Sequence, residues 1–272
     1  MKKRWKILIY LLLIFLLIII LERCSNYTKE IPVTAQPSIL EGSDSTAVLL
    51  IHGFGASPWE MQGLASFLNT KNLTVHNLLL PGHTTYNDFK STSWQEWYSA
   101  VEEAYLTLSK TYENIIVGGL SLGGTLSLLL AESYPVDGVV SINSAVYLMD
   151  KKALLSPVIK FFIPYVKMNL TEEEIGHYQN KRPLAAVHQL LKAAKACKSN
   201  LKSINSPVLI LQSSSDTTVN PKSAEFIYSR IVSEKKLIYY NESNHVLVKS
   251  KSKNRVFNDI YNFITETLAN KP

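Results

Sequence analysis

The chain has 272 residues, enough for one large domain with a modest insertion and short for two independent domains. Hydrophobic residues make up 46% and aromatic residues 10%, so a substantial core can be buried and disorder is excluded for most of the length. The net charge is +6, but residues 1–23 alone carry +4 (Lys2, Lys3, Arg4, Lys6 and Arg23 against Glu22), which leaves no basic face and no nucleic-acid partner to expect.

The first predicted element is the apolar run 7–21, preceded by Lys2, Lys3, Arg4 and Lys6. Its 15 residues rise about 22 Å as a helix, at about 1.5 Å each, short of the roughly 30 Å hydrocarbon core of a bilayer. Trp5 and the long stems of Lys6 and Arg23 extend the usable length at both interfaces. The length also fits the core of a secretory signal, yet Glu22-Arg23-Cys24-Ser25-Asn26 is a poor cleavage site. The same Glu22 and Arg23 stand where lipoprotein processing at Cys24 would need small uncharged residues. Residues 1–26 therefore read as an uncleaved single-pass anchor. Its basic flank is cytoplasmic and the rest of the chain lies on the outer face; secretion after cleavage is the alternative. Residues 27–44, rich in Ser, Thr, Pro and charge, read as a tether to a domain over 45–272.

Within that domain, strands are predicted at 47–51, 73–80, 114–118 and 136–142, and helices at 59–69, 94–112 and 123–133. This alternation predicts an α/β fold with a doubly wound, mostly parallel sheet. From about 146 to 204 helical patches and polar turns replace it, which predicts a small helical cap inserted above the sheet. Strands resume at 208–212 and 237–240, and 256–268 closes the chain as a helix.

Gly119-Leu120-Ser121-Leu122-Gly123 lies between a predicted strand and a predicted helix, the setting of a sharp nucleophile turn. Ser121 is the candidate nucleophile. A serine hydroxyl needs a base, and the base needs an orienting acid. Asp216 follows the strand 208–212 and His245 follows the strand 237–240, both in loops past strand carboxyl ends. The candidate triad is Ser121, Asp216 and His245. Glu242 is the weaker alternative acid, and Asp137, before a strand, reads as a turn residue. His76, mid-strand, and His177 and His188, in the insertion, read as packing or surface residues. An oxyanion needs two prepared donors. The backbone N–H of Leu122 is one candidate and that of Phe54, in His52-Gly53-Phe54-Gly55, is the other; His52 is expected to brace that loop. No dinucleotide fingerprint or Walker lysine is present, and Cys24 and Cys197 belong to no metal or redox motif, so no cofactor and no metal are expected.

At these residues the sequence resembles the carboxylesterase and monoacylglycerol-lipase branch of bacterial α/β-hydrolases. The matching segments are His52-Gly53-Phe54, Leu80-Pro81-Gly82-His83, Trp94 with Trp97, Gly119 to Gly124, Asp216 with Val219-Asn220-Pro221, and Ser243-Asn244-His245-Val246. The resemblance implies the α/β-hydrolase fold and ester hydrolysis through an acyl-enzyme. It also implies oxyanion N–H groups at Phe54 and Leu122, and a cap over the acyl pocket. Where relatives often carry glycine this chain has Thr84, Ser213 and Asn244.

In the insertion, residues 154–167 are apolar with interspersed lysines, and Leu154, Phe161 and Phe162 are the candidate substrate-contacting residues. They read equally as a lid that lines an acyl pocket or touches a bilayer and as a cap helix packed on the body. The expected substrate is a lipophilic or small-molecule ester. The same triad would serve an acyltransferase, a thioesterase or a peptidase; an inactive, membrane-displayed binding protein is the reading from a different class. An aspartate-nucleophile dehalogenase is disfavoured by Ser121. Nothing in the composition sets the oligomeric state.

Overall fold

The computed structural model describes Trp5, Tyr10, Ile14 and residues 30–34, 36–43, 45–241 and 244–271. Most of the apolar run 7–21 and the alternative acid Glu242 therefore lie outside the described residues. Among the described residues no helix is long and apolar enough to cross a membrane.

The sheet is built from β1 (Ser38–Leu40), β2 (Thr46–Ile51), β3 (Thr74–Leu78), β4 (Asn114–Leu120), β5 (Gly138–Ile142), β8 (Val208–Ser213) and β9 (Lys235–Tyr240). Their order is β1-β3-β2-β4-β5-β8-β9. All pairings are parallel except β1 with β3. The doubly wound, mostly parallel sheet expected from the alternation of elements is thus what forms. Being buried on both faces, β2 is apolar at nearly every position rather than alternating. Ala47, Leu49 and Ile51 enter one core layer, and Val48 and Leu50 the other.

The first layer is covered by α3 (Trp94–Leu108), α4 (Leu122–Ala131), α6 (Leu184–Asn200) and α7 (Lys222–Arg230), and the second by α1 (Gln62–Asn69) and α8 (Lys253–Ala269). The start of α3 is set by a capping box in which Ser93 and Glu96 exchange bonds with each other's backbone N–H.

Chain order reverses at β2, whose neighbours are β3 on one side and β4 on the other. The loops leaving β2 and β4 therefore diverge from adjacent strand ends, the place where open parallel sheets bind their ligands. The register pairs Ile51 with Gly119, so residues 52–55 and Ser121 emerge side by side.

Two expectations require correction. The short helix α2 (Tyr86–Ser91) precedes α3, and the insertion is not all helical: besides α5 (Ser156–Ile159), it holds an antiparallel pair, β6 (Tyr165–Lys167) and β7 (Lys181–Pro183). Strands of three residues are too short to display alternation, and Pro183 argues against one in sequence. Moreover α6, placed in the cap by the 146–204 boundary, buries Ala186, Leu190, Ala193 and Cys197 in the sheet's own core layer. The tether also ends early. Val33 is buried and donates its N–H to the Thr84 carbonyl, the Thr34 N–H reaches the Gly176 carbonyl, and β1 adds to the sheet. The polar composition of 27–44 hid one apolar anchor, Val33, and the backbone pairing around it.

Candidate active site

Ser121 sits between the end of β4 and the first turn of α4 with φ 57° and ψ −112°, a conformation L-residues rarely adopt. The surrounding hydrogen bonds enforce it. The Ser121 N–H donates to the Ile142 carbonyl at 2.8 Å, and its own carbonyl accepts from the N–H groups of Thr125 and Ala145. The flanking glycines are there for space. A Cβ on Gly119 would fall 2.4 Å from the Gly123 carbonyl carbon, and one on Gly123 would fall 2.1 Å from the Ile51 oxygen. Strand β2 and helix α4 can approach this closely only without side chains. Ser121 itself is 6% exposed. Leu122 opens α4, so its N–H has no intrahelical acceptor and points out of the positive end of the helix dipole.

Asp216 lies three residues past β8 and His245 five past β9, and the two adjacent parallel strands bring them together. His245 Nδ1 donates to Asp216 Oδ2 at 2.7 Å. The other carboxylate oxygen accepts the N–H groups of Thr218 at 2.7 Å and Val219 at 2.9 Å. An ionised carboxylate only accepts, so the imidazole carries its proton on Nδ1 and leaves Nε2 as a lone pair. The Asp216 side chain is fully buried while that of His245 is 18% exposed.

One residue passed over in the sequence joins these loops. Asn143 follows β5 with φ 42°; its Nδ2 donates to the His245 carbonyl at 2.6 Å and its Oδ1 accepts from the Ser213 N–H at 2.7 Å. Its chain neighbours Ile142 and Ala145 bond the Ser121 backbone. The connection from Ser121 to the His245 loop thus runs through residues 142–145. A polar residue ending an apolar strand, of a type that tolerates left-handed backbone, was the available signal.

The loop after β2 is fixed on several sides. His52 is fully buried; its Nδ1 donates to the Gly53 carbonyl at 2.9 Å and its Nε2 accepts the Leu80 N–H at 3.1 Å. Burial pushes this imidazole down to about 4, with the Gly53 carbonyl opposing, so it is neutral and braces the loop as expected. The Phe54 ring packs 4.8 Å from Phe89 and 6.0 Å from Trp97, and His83 lies 4.5 Å from Phe89 in the same aromatic cluster. The Pro-Gly-His and Trp-x-x-Trp segments therefore serve the placement of Phe54. Asp137, read as a turn residue, receives the Ile115 N–H and pairs with Lys271. His177 stacks on Trp59, and His76 lies within β3.

The candidate substrate-contacting residues of the insertion lie at the surface. Leu154, Phe161 and Phe162 are 65%, 72% and 55% exposed. The sole buried residue of α5 is Ser156, so much of this apolar run faces outward even though α5 rests against α6. A depression of about 510 Å³ lies at the other end of the sheet, around Glu132 and Ser206, and belongs to no part of this site. Among the described residues no cluster of three or more His, Cys, Asp or Glu could hold a metal ion.

Residues 42–252 match the Hydrolase_4 family, described as serine aminopeptidase, S33. The chain belongs to this family. It is 30% identical over 240 residues to the carboxylesterase of Bacillus subtilis (strain 168), covering 85% of this chain and 97% of that one. It is 34% identical over 230 residues to the thermostable monoacylglycerol lipase of Bacillus sp. (strain H-257), covering 80% of this chain and 90% of the relative. Among solved structures, a metagenome-derived lipolytic enzyme from a study of LipS and LipT superposes with a TM-score of 0.81 at 25% identity, over 87% of this chain and 99% of that one. The monoacylglycerol lipase of Paleococcus ferrophilus superposes at 0.73 with 17% identity, over 88% and 100%, a likeness of fold. The architecture is that of the α/β-hydrolases, and this Hydrolase_4 member carries the resemblance read from its motifs.

Proposed function

We propose that the chain hydrolyses carboxylic esters through an acyl-enzyme, with Ser121 as nucleophile, His245 as base and Asp216 as orienting acid. The observation that carries this reading is the Asp216–His245 bond of 2.7 Å, formed at the same carboxyl edge of the sheet where Ser121 is held in strained backbone. The carboxylesterase and monoacylglycerol-lipase relatives support ester hydrolysis as the reaction.

In this mechanism His245 Nε2 takes the Ser121 proton as Oγ attacks the ester carbonyl. The carbonyl oxygen becomes an alkoxide and is met by the N–H groups of Phe54 and Leu122. Collapse expels the alcohol, which leaves with the proton from His245. Water then attacks the acyl-serine with His245 again as base, releasing the carboxylic acid and restoring Ser121. Asp216 keeps Nδ1 protonated throughout and stabilises the imidazolium.

The substrate class is a lipophilic acyl ester. The apolar residues 7–21 would hold the enzyme at a membrane by a single pass, with the basic flank inside and the catalytic domain outside. The outward-facing Leu154, Phe161 and Phe162 support a membrane-side substrate. Hydrolysis of a p-nitrophenyl ester series from acetyl to palmitoyl by the full-length chain, with Ser121→Ala alongside, tests the reaction. Loss of activity and of fluorophosphonate labelling in the variant is expected; no labelling of the unaltered protein would defeat the proposal. The family description names a serine aminopeptidase, and turnover of amino-acid p-nitroanilides in preference to esters would move the chain to that class. Recovery of an N-terminally tagged protein in the membrane fraction at full length checks the anchor.

A further inference from the structure

Glu60 lies at the end of a short 3-10 turn, Pro58–Glu60, just past the loop that follows β2, and is 4% exposed. Its Oε2 accepts the Gly53 N–H at 2.7 Å, and its Oε1 accepts the Tyr178 hydroxyl at 2.8 Å. Gly53 immediately precedes Phe54, whereas Tyr178 belongs to the insertion. The next residue, Gln179, donates its N–H to the Gly55 carbonyl at 2.8 Å and its Nε2–H to the His83 carbonyl at 2.9 Å. Both sides of Phe54 are thus bonded to groups that the insertion holds or supplies. Arg182, in β7, adds a positive charge that lowers the Glu60 carboxyl without forming one of the ion pairs found among the described residues.

A main-chain N–H can be satisfied by any neutral acceptor. A carboxylate buried beside it carries a desolvation cost that a neutral group would not. Burial raises the Glu60 carboxyl on balance, with the Gly53 N–H, the Tyr178 hydroxyl and the Arg182 charge opposing it. What the carboxylate adds is two acceptor oxygens in one plane, able to grip a loop with one and the insertion with the other.

We infer that Glu60 is a positioning residue for the reaction, whose carboxylate, shared between the Gly53 N–H and the Tyr178 hydroxyl, aims the Phe54 N–H at the developing oxyanion and makes that aim depend on the cap. The inference rests on the proposed Ser121 chemistry with Phe54 as an oxyanion donor. The cap in this protein then does more than cover the site. It completes the site, because displacing residues 178–179 would release the loop from both ends.

The test uses the full-length chain with Glu60→Ala, Glu60→Gln and Tyr178→Phe. It reads kcat and KM for a p-nitrophenyl ester and the affinity of a trifluoromethyl ketone, whose serine adduct places a negative oxygen in the same position. Glu60→Ala is expected to lower kcat about 30- to 100-fold, less than the loss of a whole oxyanion donor, with KM changed less than about threefold. Analogue affinity should fall by a similar factor. Gln keeps an acceptor for Gly53 and should recover kcat to within about fivefold of the unaltered enzyme. Tyr178→Phe should cost about 3- to 10-fold in both readings and carries the test if Glu60→Ala does not fold. Variants that melt lower yet keep kcat and analogue affinity within about twofold would overturn the inference and leave Glu60 a stabilising residue only. An unaltered protein with no esterase activity and no fluorophosphonate labelling would instead remove the reading on which the inference rests.

Discussion

Asn143 Nδ2 donates to the main-chain carbonyl of His245 at 2.6 Å, while its Oδ1 holds the Ser213 N–H at 2.7 Å. One side chain thereby sets the distance between the loop that bears His245 and the strand end that leads to Asp216. Asn143→Ala is expected to lower kcat about tenfold to a hundredfold, since small displacements of a reacting group are costly. It should also lose about 2 kcal/mol of stability, because the bonds to the His245 carbonyl and from the Ser213 N–H are both lost. Asn143→Gly relieves the φ of 42° and should melt above the Ala variant while remaining as slow. Parallel melting curves and ester assays separate the two effects.

Asp216→Asn keeps an acceptor for the Thr218 and Val219 N–H groups but turns an amide toward His245 Nδ1. The imidazole is then favoured in the opposite tautomer, with its proton on Nε2. A fall in kcat of about 10³- to 10⁴-fold with near-normal melting is the expected result. Steady-state ester hydrolysis checks it, and a loss below about tenfold would mean that another group orients the base.

Gly123→Ala places a methyl group 2.1 Å from the Ile51 oxygen, which is main chain in an interior strand and cannot move aside. The variant should be insoluble or destabilised by more than about 4 kcal/mol. Gly63→Ala is the contrast: the nearest atom to its new Cβ is the Phe257 ring at 3.5 Å, an ordinary contact, and it lies in helix α1. A gain of about 0.5 kcal/mol is expected there. Denaturant titrations of the two variants give the comparison.

The stability that two buried histidines contribute should drain between about pH 6.5 and pH 4. Burial holds the His52 imidazole at about 4 and, with His52 beside it, holds His83 well below its ordinary value. The unfolded chain binds protons on both from about 6.5 downward, so this stability is whole above that pH and is lost as the pH falls toward 4. For His52 alone the loss approaches about 3 kcal/mol. Burial raises the Glu132 carboxyl to about 8 and raises that of Glu60 as well, and both work in the opposite direction over this range. Melting temperatures should therefore fall more steeply from about pH 6.5 to 5 in Glu132→Gln than in the unaltered chain, and a flat profile in that variant would contradict the buried neutral pair.

Removing residues 1–29 should leave the melting temperature close to that of the full chain, whereas starting at residue 36 should lower stability by about 2–3 kcal/mol. The difference is Val33, 4% exposed, with its bond to Thr84, the Thr34 bond to Gly176, and the Glu30 carboxylate that accepts the Tyr86 N–H. Thermal denaturation of the two fragments reads it directly.

Much of the sheet was legible because its signals are local. Residues 47–51, 115–117 and 208–211 are unbroken apolar runs, which buried parallel strands require, and Gly119, Gly123 and Gly124 mark the tight crossing at Ser121. The segments containing Asp216 and His245 were legible as loops past strand ends for the same reason. Tertiary structure alone decided the rest. Whether α6 belongs to the cap or the body depends on which core its Ala and Leu face meets, and helical spacing is the same for either. The short strands β6 and β7 exist because they pair with each other, since neither has enough residues to carry a pattern of its own. Glu60, Asn143 and Tyr178 are single polar residues whose partners lie 7, 102 and 118 positions away. Spacing along the chain records what a residue does to its own helix or strand. The bonds that hold the candidate site join residues distant in sequence, and only the folded chain brings them within reach.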